Sequence, residues 1–196
     1  MTDKIAQLIL DEISSLNWID KTAGVVKPLR VKVKGGEEKI YPIYLNSAMP
    51  CDSSTYTDLV PDSSKRSVLY FEDGGVDVVE SGCRYTDMEA TLKLVCWVNL
   101  KKINTTYTSA EPIKLDLINN IPARIANTDW VTKIRVMFEG EETKSAGIFS
   151  EYTYDEAEAQ YLIYPYDFFA LNYKIRYSVP MDSDCLTAIT INPGIC

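Results

Sequence analysis

The chain has 196 residues, 46% of them hydrophobic and 24% charged, the composition of an ordinary globular protein. Twenty basic residues against twenty-eight acidic residues give a formal net charge of −8, which disfavours tight binding to nucleic-acid phosphates. The absence of histidine excludes Ser-His-Asp and Cys-His nucleophilic systems and His-ligated zinc.

The N-terminal segment has the spacing of an amphipathic helix. Its apolar residues recur three and four positions apart on one helix face: Ile5, Leu8, Ile9, Ile13 and Leu16. We predict that this face docks on a sheet and that Thr2 is the N-cap.

Residues 29–44 alternate between apolar and polar positions and predict a β-hairpin that turns at Gly35-Gly36. The polar face of its first strand is basic and consists of Arg30, Lys32 and Lys34. Pro42 lacks an N–H, so the second strand is predicted to lie at a sheet edge or to carry a bulge. Residues 46–66 are rich in Ser, Thr, Asp and Pro and predict a long loop or arm that contacts another subunit.

The middle of the chain predicts three strand segments and a helix. Strand signals at 68–71 and 76–79 are separated by Asp73-Gly74-Gly75, and residues 90–100 read as a central strand buried on both faces. Ser109 is the predicted N-cap of a helix that Pro122 ends.

Three further strands are predicted in the last third, at residues 131–138, 148–154 and 169–179. The last alternates over six apolar positions and is long enough to cross a whole sheet. These signals predict an α+β fold, mainly an antiparallel sheet with an N-terminal helix and one central helix packed on it. We expect one domain over residues 1–180 and a C-terminal arm or tail over residues 181–196.

Acidic residues concentrate between positions 139 and 158, where seven carboxylates against Lys144 give a net charge of −6. They are Glu139, Glu141, Glu142, Glu151, Asp155, Glu156 and Glu158. This segment is typical of a solvated surface, and it also fits a face toward a DNA channel or toward the basic strand of an adjacent copy. A third interpretation is a carboxylate-dependent glycoside hydrolase that uses Glu151, Asp155, Glu156 or Glu158.

Thirteen tyrosines are more than a core requires, and one group of them lies close together in the sequence. Tyr161, Tyr164 and Tyr166 are candidate interface residues, because tyrosine is enriched at the centres of interfaces. Tyrosine is also favoured in strands whatever their role, so plain packing is the alternative.

The five cysteines include no C-x-x-C pair, and we interpret them as reduced thiols. Cys96 lies in an apolar run and is predicted to be a small buried hydrophobic residue. For Cys185 and Cys196, a disulfide between them is the alternative to two reduced thiols. No phosphate-binding, dinucleotide-binding or nucleophile-elbow motif is present, so no cofactor, metal site or catalytic residue is predicted.

Three segments in this order resemble phage tail-terminator, tail-completion and head-to-tail connector proteins. They are DKIAQLILDEISSL, then LKLVCWVNL followed by SAEPIKLDLINNI, then DFFALNYKIRYSV. The resemblance implies a non-enzymatic virion subunit, made in the host cytoplasm, that forms a ring of six or twelve copies at the head-tail junction. It also implies contacts with a portal or with neighbouring neck and tail proteins, and a lumen through which DNA passes without specific binding. A monomeric carbohydrate-binding or adhesin module is a further alternative.

No uncharged apolar stretch approaches the roughly 20 residues that cross a bilayer, so no membrane span is predicted.

Overall fold

The structure, a computed structural model, describes residues 1–32, 35–45, 56–59, 62–149, 151–153 and 163–181. The helices are α1 (Thr2–Ile13), α2 (Leu100–Ile103), α3 (Glu111–Asn120) and α4 (Ser145–Ile148). The strands are β1 (Lys21–Val25), β2 (Lys27–Lys32), β3 (Glu38–Leu45), β4 (Tyr56–Asp58), β5 (Ser67–Ser81), β6 (Tyr85–Asn99), β7 (Thr132–Glu142) and β8 (Tyr166–Pro180).

The described residues form two sheets, and the larger one has the strand order β1-β5-β6-β8-β7. β1 runs parallel to β5 and the other neighbours are antiparallel, so the predicted α+β fold with a mainly antiparallel sheet is confirmed. β6 is the middle strand, as its apolar run predicted. β6 and β8 pair from Tyr85 opposite Pro180 to Asn99 opposite Tyr166, which confirms that the last strand crosses the whole sheet.

Helices α1, α2 and α3 cover one face of the large sheet. Ile5, Ile9 and Ile13 of α1 are fully buried there, as the helical spacing predicted, and α1 packs on β1, β5, β6 and α3. Alternate residues of β6 and β8 complete this core: Leu92, Leu94, Cys96, Val98, Phe169, Leu171, Tyr173, Ile175 and Tyr177. Each large side chain buried here contributes roughly 1.5–3 kcal/mol relative to exposure.

The opposite face of the large sheet is covered over only part of its length. A second core lies between this face, the three-stranded sheet β2-β3-β4 and the segment around α4. Trp97 and Tyr70 of the large sheet pack there with Ile148, Phe149 and Tyr152. Residues 94–98 of β6 are therefore buried from both sides, as predicted.

Both predicted N-caps are wrong. α1 begins at Thr2 itself, whose hydroxyl donates to Asp73 Oδ2 at 3.0 Å. Ala110, rather than Ser109, is the N-cap residue of α3, and its N–H donates to Asp167 Oδ2 at 2.7 Å. In each case the helix start contacts a carboxylate that is distant in sequence, Asp73 for α1 and Asp167 for α3. The local sequence pattern could not predict these contacts.

Three strand details also differ from the sequence prediction. β3 lies between β2 and β4 rather than at an edge; the carbonyl of Pro42 accepts from the N–H of Leu59, beyond the end of the β3–β4 pairs. Asp73-Gly74-Gly75 forms a bulge inside one continuous β5, because Gly75 adopts a φ of +105° there. The predicted strand at 148–154 is wrong over residues 148, 149 and 151–153, where α4 and a turn carry apolar side chains into the second core.

The predicted arm at 46–66 is described only in part. β4 pairs antiparallel with β3, and Leu59 after it is buried, so residues 56–59 belong to the body of the fold. Residues 46–55, 60 and 61 of the predicted arm and residues 182–196 of the predicted tail lie outside the described residues.

Candidate assembly surface

The β5–β6 hairpin extends beyond the part of the large sheet that other strands flank. β1 pairs with β5 only as far as Phe71, and the N–H of Val26 donates to the carbonyl of Phe71 at 2.8 Å. Over residues 76–81, β5 pairs with β6 on one side, and within the described part of the chain nothing pairs with its outer edge. We call residues 76–81 the free edge of β5.

The free edge has one apolar face. Val76 pairs with Ala90 and Val78 with Met88, positions on the helix side of the sheet. The structure nevertheless leaves Val78 61% exposed and the adjacent Val79 57% exposed. An exposed apolar strand edge of this kind is a template for pairing with another chain.

The other face of the free edge is acidic. Asp77 lies opposite Glu89 and Glu80 lies opposite Asp87, and the bulge between Val78 and Glu80 brings both acids onto the same face. Because Glu89 and Asp87 are two residues apart on β6, all four carboxylates share that face.

Two of the basic residues beside this acidic face, Lys174 and Arg176, already have partners. Glu89 accepts from Arg176 Nε at 2.6 Å and binds Lys174 Nζ at 3.1 Å, and these hydrogen bonds lower the pKa of Glu89. Asp77 and Glu80 make no ion pair with any residue in the described ranges. The free edge therefore presents two unneutralised carboxylates.

The predicted basic strand is also a sheet edge. Arg30 and Lys32 lie on β2, which pairs only with β3 among the strands described. Both are exposed, and Arg30 makes a loose 3.8 Å ion pair with Glu38. Lys34, the third predicted residue, lies outside the described residues.

The predicted acidic residues of β7 lie at the opposite edge of the large sheet and bind within their own chain. Glu139 is 3.3 Å from Lys174 Nζ, and Glu141 is 3.0 Å from Lys114 Nζ. Glu142 accepts from the backbone N–H of Lys144 at 2.8 Å. The structure does not bring these three acids together with the basic strand of the same chain.

The described tyrosines of the predicted group divide between surface and core. Tyr164 is half exposed, and the ammonium of Lys101 lies 5.2 Å from its ring centroid. Tyr166 stacks on Trp97 with ring centroids 5.1 Å apart, so it supports the second core. Tyr161 lies outside the described residues.

A cleft of about 450 Å³ lies between β2 and the large sheet, and Glu72, Lys93 and Glu151 line it. Glu72 is largely buried and forms an ion pair with Lys93. Such a pair is typical of a residue that stabilises the fold rather than of a catalytic carboxylate. Glu151 is exposed, and the other hydrolase candidates (Asp155, Glu156 and Glu158) lie outside the described residues. Over the described ranges, no group of three or more His, Cys, Asp and Glu side chains could hold a metal ion.

Cys96 is fully buried, as predicted, and burial raises the pKa of its thiol well above the ordinary value. Cys83 is exposed in the turn between β5 and β6, and both are free thiols. Cys51, Cys185 and Cys196 lie outside the described residues.

The sequence pattern identified residues 76–79 as a strand but did not mark them as a surface. Valine alternates with acidic residues through Glu80, and this alternation was the signal present in the sequence. It indicates a surface only once the structure shows that β1 ends beside Phe71 and leaves the rest of β5 without a neighbour on that side.

Within the described ranges, every helix is too short or too polar to span a bilayer. Comparison with protein-family models and with curated protein sequences finds no match for this chain.

Proposed function

We propose that this chain is a non-enzymatic structural subunit that assembles with copies of itself. The observation that carries the proposal is the free edge of β5, residues 76–81, an apolar and acidic strand edge with no described neighbour on its outer side. In a stable monomer such an edge is usually shortened, covered, or protected by charged residues, proline or a bulge. The free edge of β5 has a bulge and two acids, but it leaves the apolar side chains of Val76, Val78 and Val79 exposed.

The setting that fits best is the ring at the junction of a phage head and tail, as the resemblance of the three sequence segments implies. In that setting the subunit is a virion component, made in the host cytoplasm, that contacts a portal or neighbouring neck and tail proteins. The net charge of −8 suits a ring whose lumen DNA crosses without adhering, because carboxylates repel the phosphate backbone.

The assembly test measures the mass of the purified chain over a wide concentration range by analytical ultracentrifugation, with negative-stain images of the largest species. We expect a discrete oligomer whose population grows with concentration. A chain that stays monomeric at every concentration, with and without a candidate neck or portal protein, would overturn the proposal. The monomeric alternative, a carbohydrate-binding module, would then be tested on saccharide arrays.

A paired variant assigns the contact to the free edge. Val78→Thr with Val79→Thr keeps β-branched residues in the strand but replaces two exposed methyl groups by hydroxyls. We expect self-association to weaken roughly tenfold, because each lost apolar contact costs about 0.8 kcal/mol. The control is Leu115→Gln on α3, which removes an equally exposed apolar side chain from a helix and leaves association unchanged.

A further inference from the structure

We infer that β2 of one copy pairs edge to edge with the free edge of β5 in the next copy. The inference rests on the proposed function and specifies which two surfaces meet. The pairing sets two basic side chains beside two acidic ones: Arg30 and Lys32 of one copy, Asp77 and Glu80 of the next.

The first support is that both strands have an outer edge that no described strand covers. β2 contains six residues, Lys27–Lys32, and its outer side has no strand beside it in the part of the chain that is described. The free edge of β5 runs over residues 76–81, with a bulge between Val78 and Glu80. Over residues 29–32 of β2, two such edges can satisfy one another's backbone N–H and C=O groups, as strands added to a sheet edge do; Pro28 has no N–H to donate.

The second support is that the two faces of β2 complement the two faces of the free edge. Arg30 and Lys32 lie opposite Ile40 and Glu38 of β3, which are two residues apart, so both basic side chains share one face of β2. The other face carries Leu29, whose side chain is 39% exposed, and the exposed Lys27 two residues before it.

The free edge repeats this arrangement with the opposite charge. Its acidic face carries Asp77 and Glu80, and its apolar face carries Val76 and Val78. Side by side, the two strands place bases next to acids on one face and Leu29 next to the valines on the other. Opposite charges and apolar side chains in neighbouring strand positions each stabilise a sheet.

The third support is the state of the competing acidic surface. Glu139 and Glu141 of β7 bind Lys174 and Lys114 of their own chain, so neither is a free partner for a second copy. Asp77 and Glu80 have no such ion pair within the described ranges. Of these two acidic surfaces, the free edge of β5 is therefore the one available to β2.

The geometry of the contact determines the kind of assembly. β2 and the free edge of β5 are different surfaces of one molecule, so each copy donates one edge and accepts another. Such head-to-tail contacts close into a ring when the rotation between copies permits it, and six or twelve copies would meet that condition in the proposed setting.

The test uses two charge-reversed variants of the full chain. The first is Arg30→Glu with Lys32→Glu, and the second is Asp77→Lys with Glu80→Lys. Each variant alone places like charges across the contact, and we expect self-association to weaken roughly 100-fold. All four positions are exposed, and circular dichroism and thermal unfolding check that each variant folds.

Mixing the two variants provides the decisive measurement. Acidic β2 of the first variant then meets the basic edge of the second, and basic β2 of the second meets the acidic edge of the first. We expect the equimolar mixture to recover assemblies of wild-type size, with the two variants alternating around a ring of even copy number. Mass photometry of the mixture and of each variant alone gives the answer.

Matched controls reverse charges elsewhere on the surface. Arg124→Glu with Lys144→Glu controls the basic reversal, and Asp11→Lys with Glu12→Lys controls the acidic one; all four side chains are exposed. We expect both control variants to assemble as the wild type does.

The outcomes separate this inference from the proposed function. A wild-type chain that assembles while both test variants assemble equally well, or whose mixture fails to recover, overturns the β2–β5 contact and leaves the assembly role standing. A wild-type chain that never assembles overturns both.

Discussion

The carboxylate of Asp3 accepts a hydrogen bond from the backbone N–H of Val25 at 2.8 Å, which fastens the first turn of α1 to the end of β1. The second oxygen of Asp3 accepts from the Tyr44 hydroxyl at 3.3 Å, and Gln7 Nε2 donates to the same hydroxyl at 3.0 Å. One partly buried network therefore joins the helix layer, the large sheet and the small sheet. It requires a residue without a side chain at Gly24, where a Cβ would lie 2.1 Å from Asp3 Oδ1.

Gly24→Ala is expected to lower the free energy of unfolding by about 1–3 kcal/mol, because the added methyl group displaces Asp3 and Gln7 from their partners. Urea denaturation followed by circular dichroism measures the change. Gly82→Ala is the control, since a Cβ there would meet the Tyr85 carbonyl at an ordinary 3.4 Å. Equal stability of the two variants would show that the Asp3 contacts do not constrain position 24.

A second polar contact joins the segment before β1 to the start of β5. Asp20 accepts hydrogen bonds from Arg66 through the backbone N–H at 2.6 Å, Nε at 2.9 Å and the terminal nitrogen Nη2 at 2.6 Å. The side-chain hydrogen bonds from Arg66 lower the pKa of Asp20 below its ordinary value of 3.8. A lowered pKa in the folded state stabilises the fold above the unfolded pKa, and this stability is lost as the pH falls through the folded pKa.

Asp20→Asn is therefore expected to cost about 1–2 kcal/mol of unfolding free energy near neutral pH. The difference from the wild type should shrink as the pH falls from about 4, because the wild-type carboxylate is then protonated. Urea titrations at a series of pH values measure it. Glu38→Gln, which removes the exposed partner of Arg30, is the control with no measurable loss. A constant deficit of Asp20→Asn at every pH would contradict the assignment to the charged carboxylate.

The two described thiols should react at very different rates. A maleimide should label Cys83 in the native protein, because its thiol is exposed in the β5–β6 turn, and should leave Cys96 unmodified until denaturant is added. Peptide mass spectrometry after labelling distinguishes the sites, and Cys83→Ser is the control. Native Cys96 that is labelled as fast as Cys83 would mean that the sheet opens readily at its centre.

Elements with strong local patterns were predictable, and contacts made across the sequence were not. The spacing of Ile5, Ile9 and Ile13 predicts α1, and the alternation of residues 169–179 predicts β8, because each pattern lies within one element. β1 has the sequence KTAGV, in which Ala and Gly are poor strand formers, so its local pattern does not predict a strand. Parallel pairing with β5 and the Asp3 contact hold it in place.

The candidate surface was predicted in part for the same reason. The basic face of β2 follows from alternation alone, so Arg30 and Lys32 were identified correctly as one exposed set. The neutralisation of Glu139 and Glu141 depends on lysines brought from α3 and β8, which only the fold supplies. The concentration of acids in the sequence therefore suggested β7 as the surface that binds a partner. In the folded chain the β7 acids pair with lysines of their own chain, and the acids of the free edge of β5 are left without such pairs among the described residues.

Two tyrosine hydroxyls, the buried one of Tyr173 and the partly buried one of Tyr44, should respond oppositely to removal. The Tyr173 hydroxyl is buried without a hydrogen-bond partner among the described residues, and burial raises the pKa of Tyr173. The Tyr44 hydroxyl has two partners, Asp3 and Gln7. Because an unpaired buried hydroxyl carries an uncompensated desolvation cost, Tyr173→Phe should leave stability unchanged or raise it by up to about 1 kcal/mol.

Tyr44→Phe should instead lower the free energy of unfolding by about 1–2 kcal/mol, because it leaves Asp3 and Gln7 with unsatisfied polar atoms. Each substitution deletes a single oxygen from the same residue type, so each serves as the control for the other. Thermal and urea unfolding of both variants measure the order. A larger loss of unfolding free energy for Tyr173→Phe than for Tyr44→Phe would contradict this order. It would show that the Tyr173 hydroxyl has a partner in the folded protein and that the Asp3 network contributes little to holding the two sheets together.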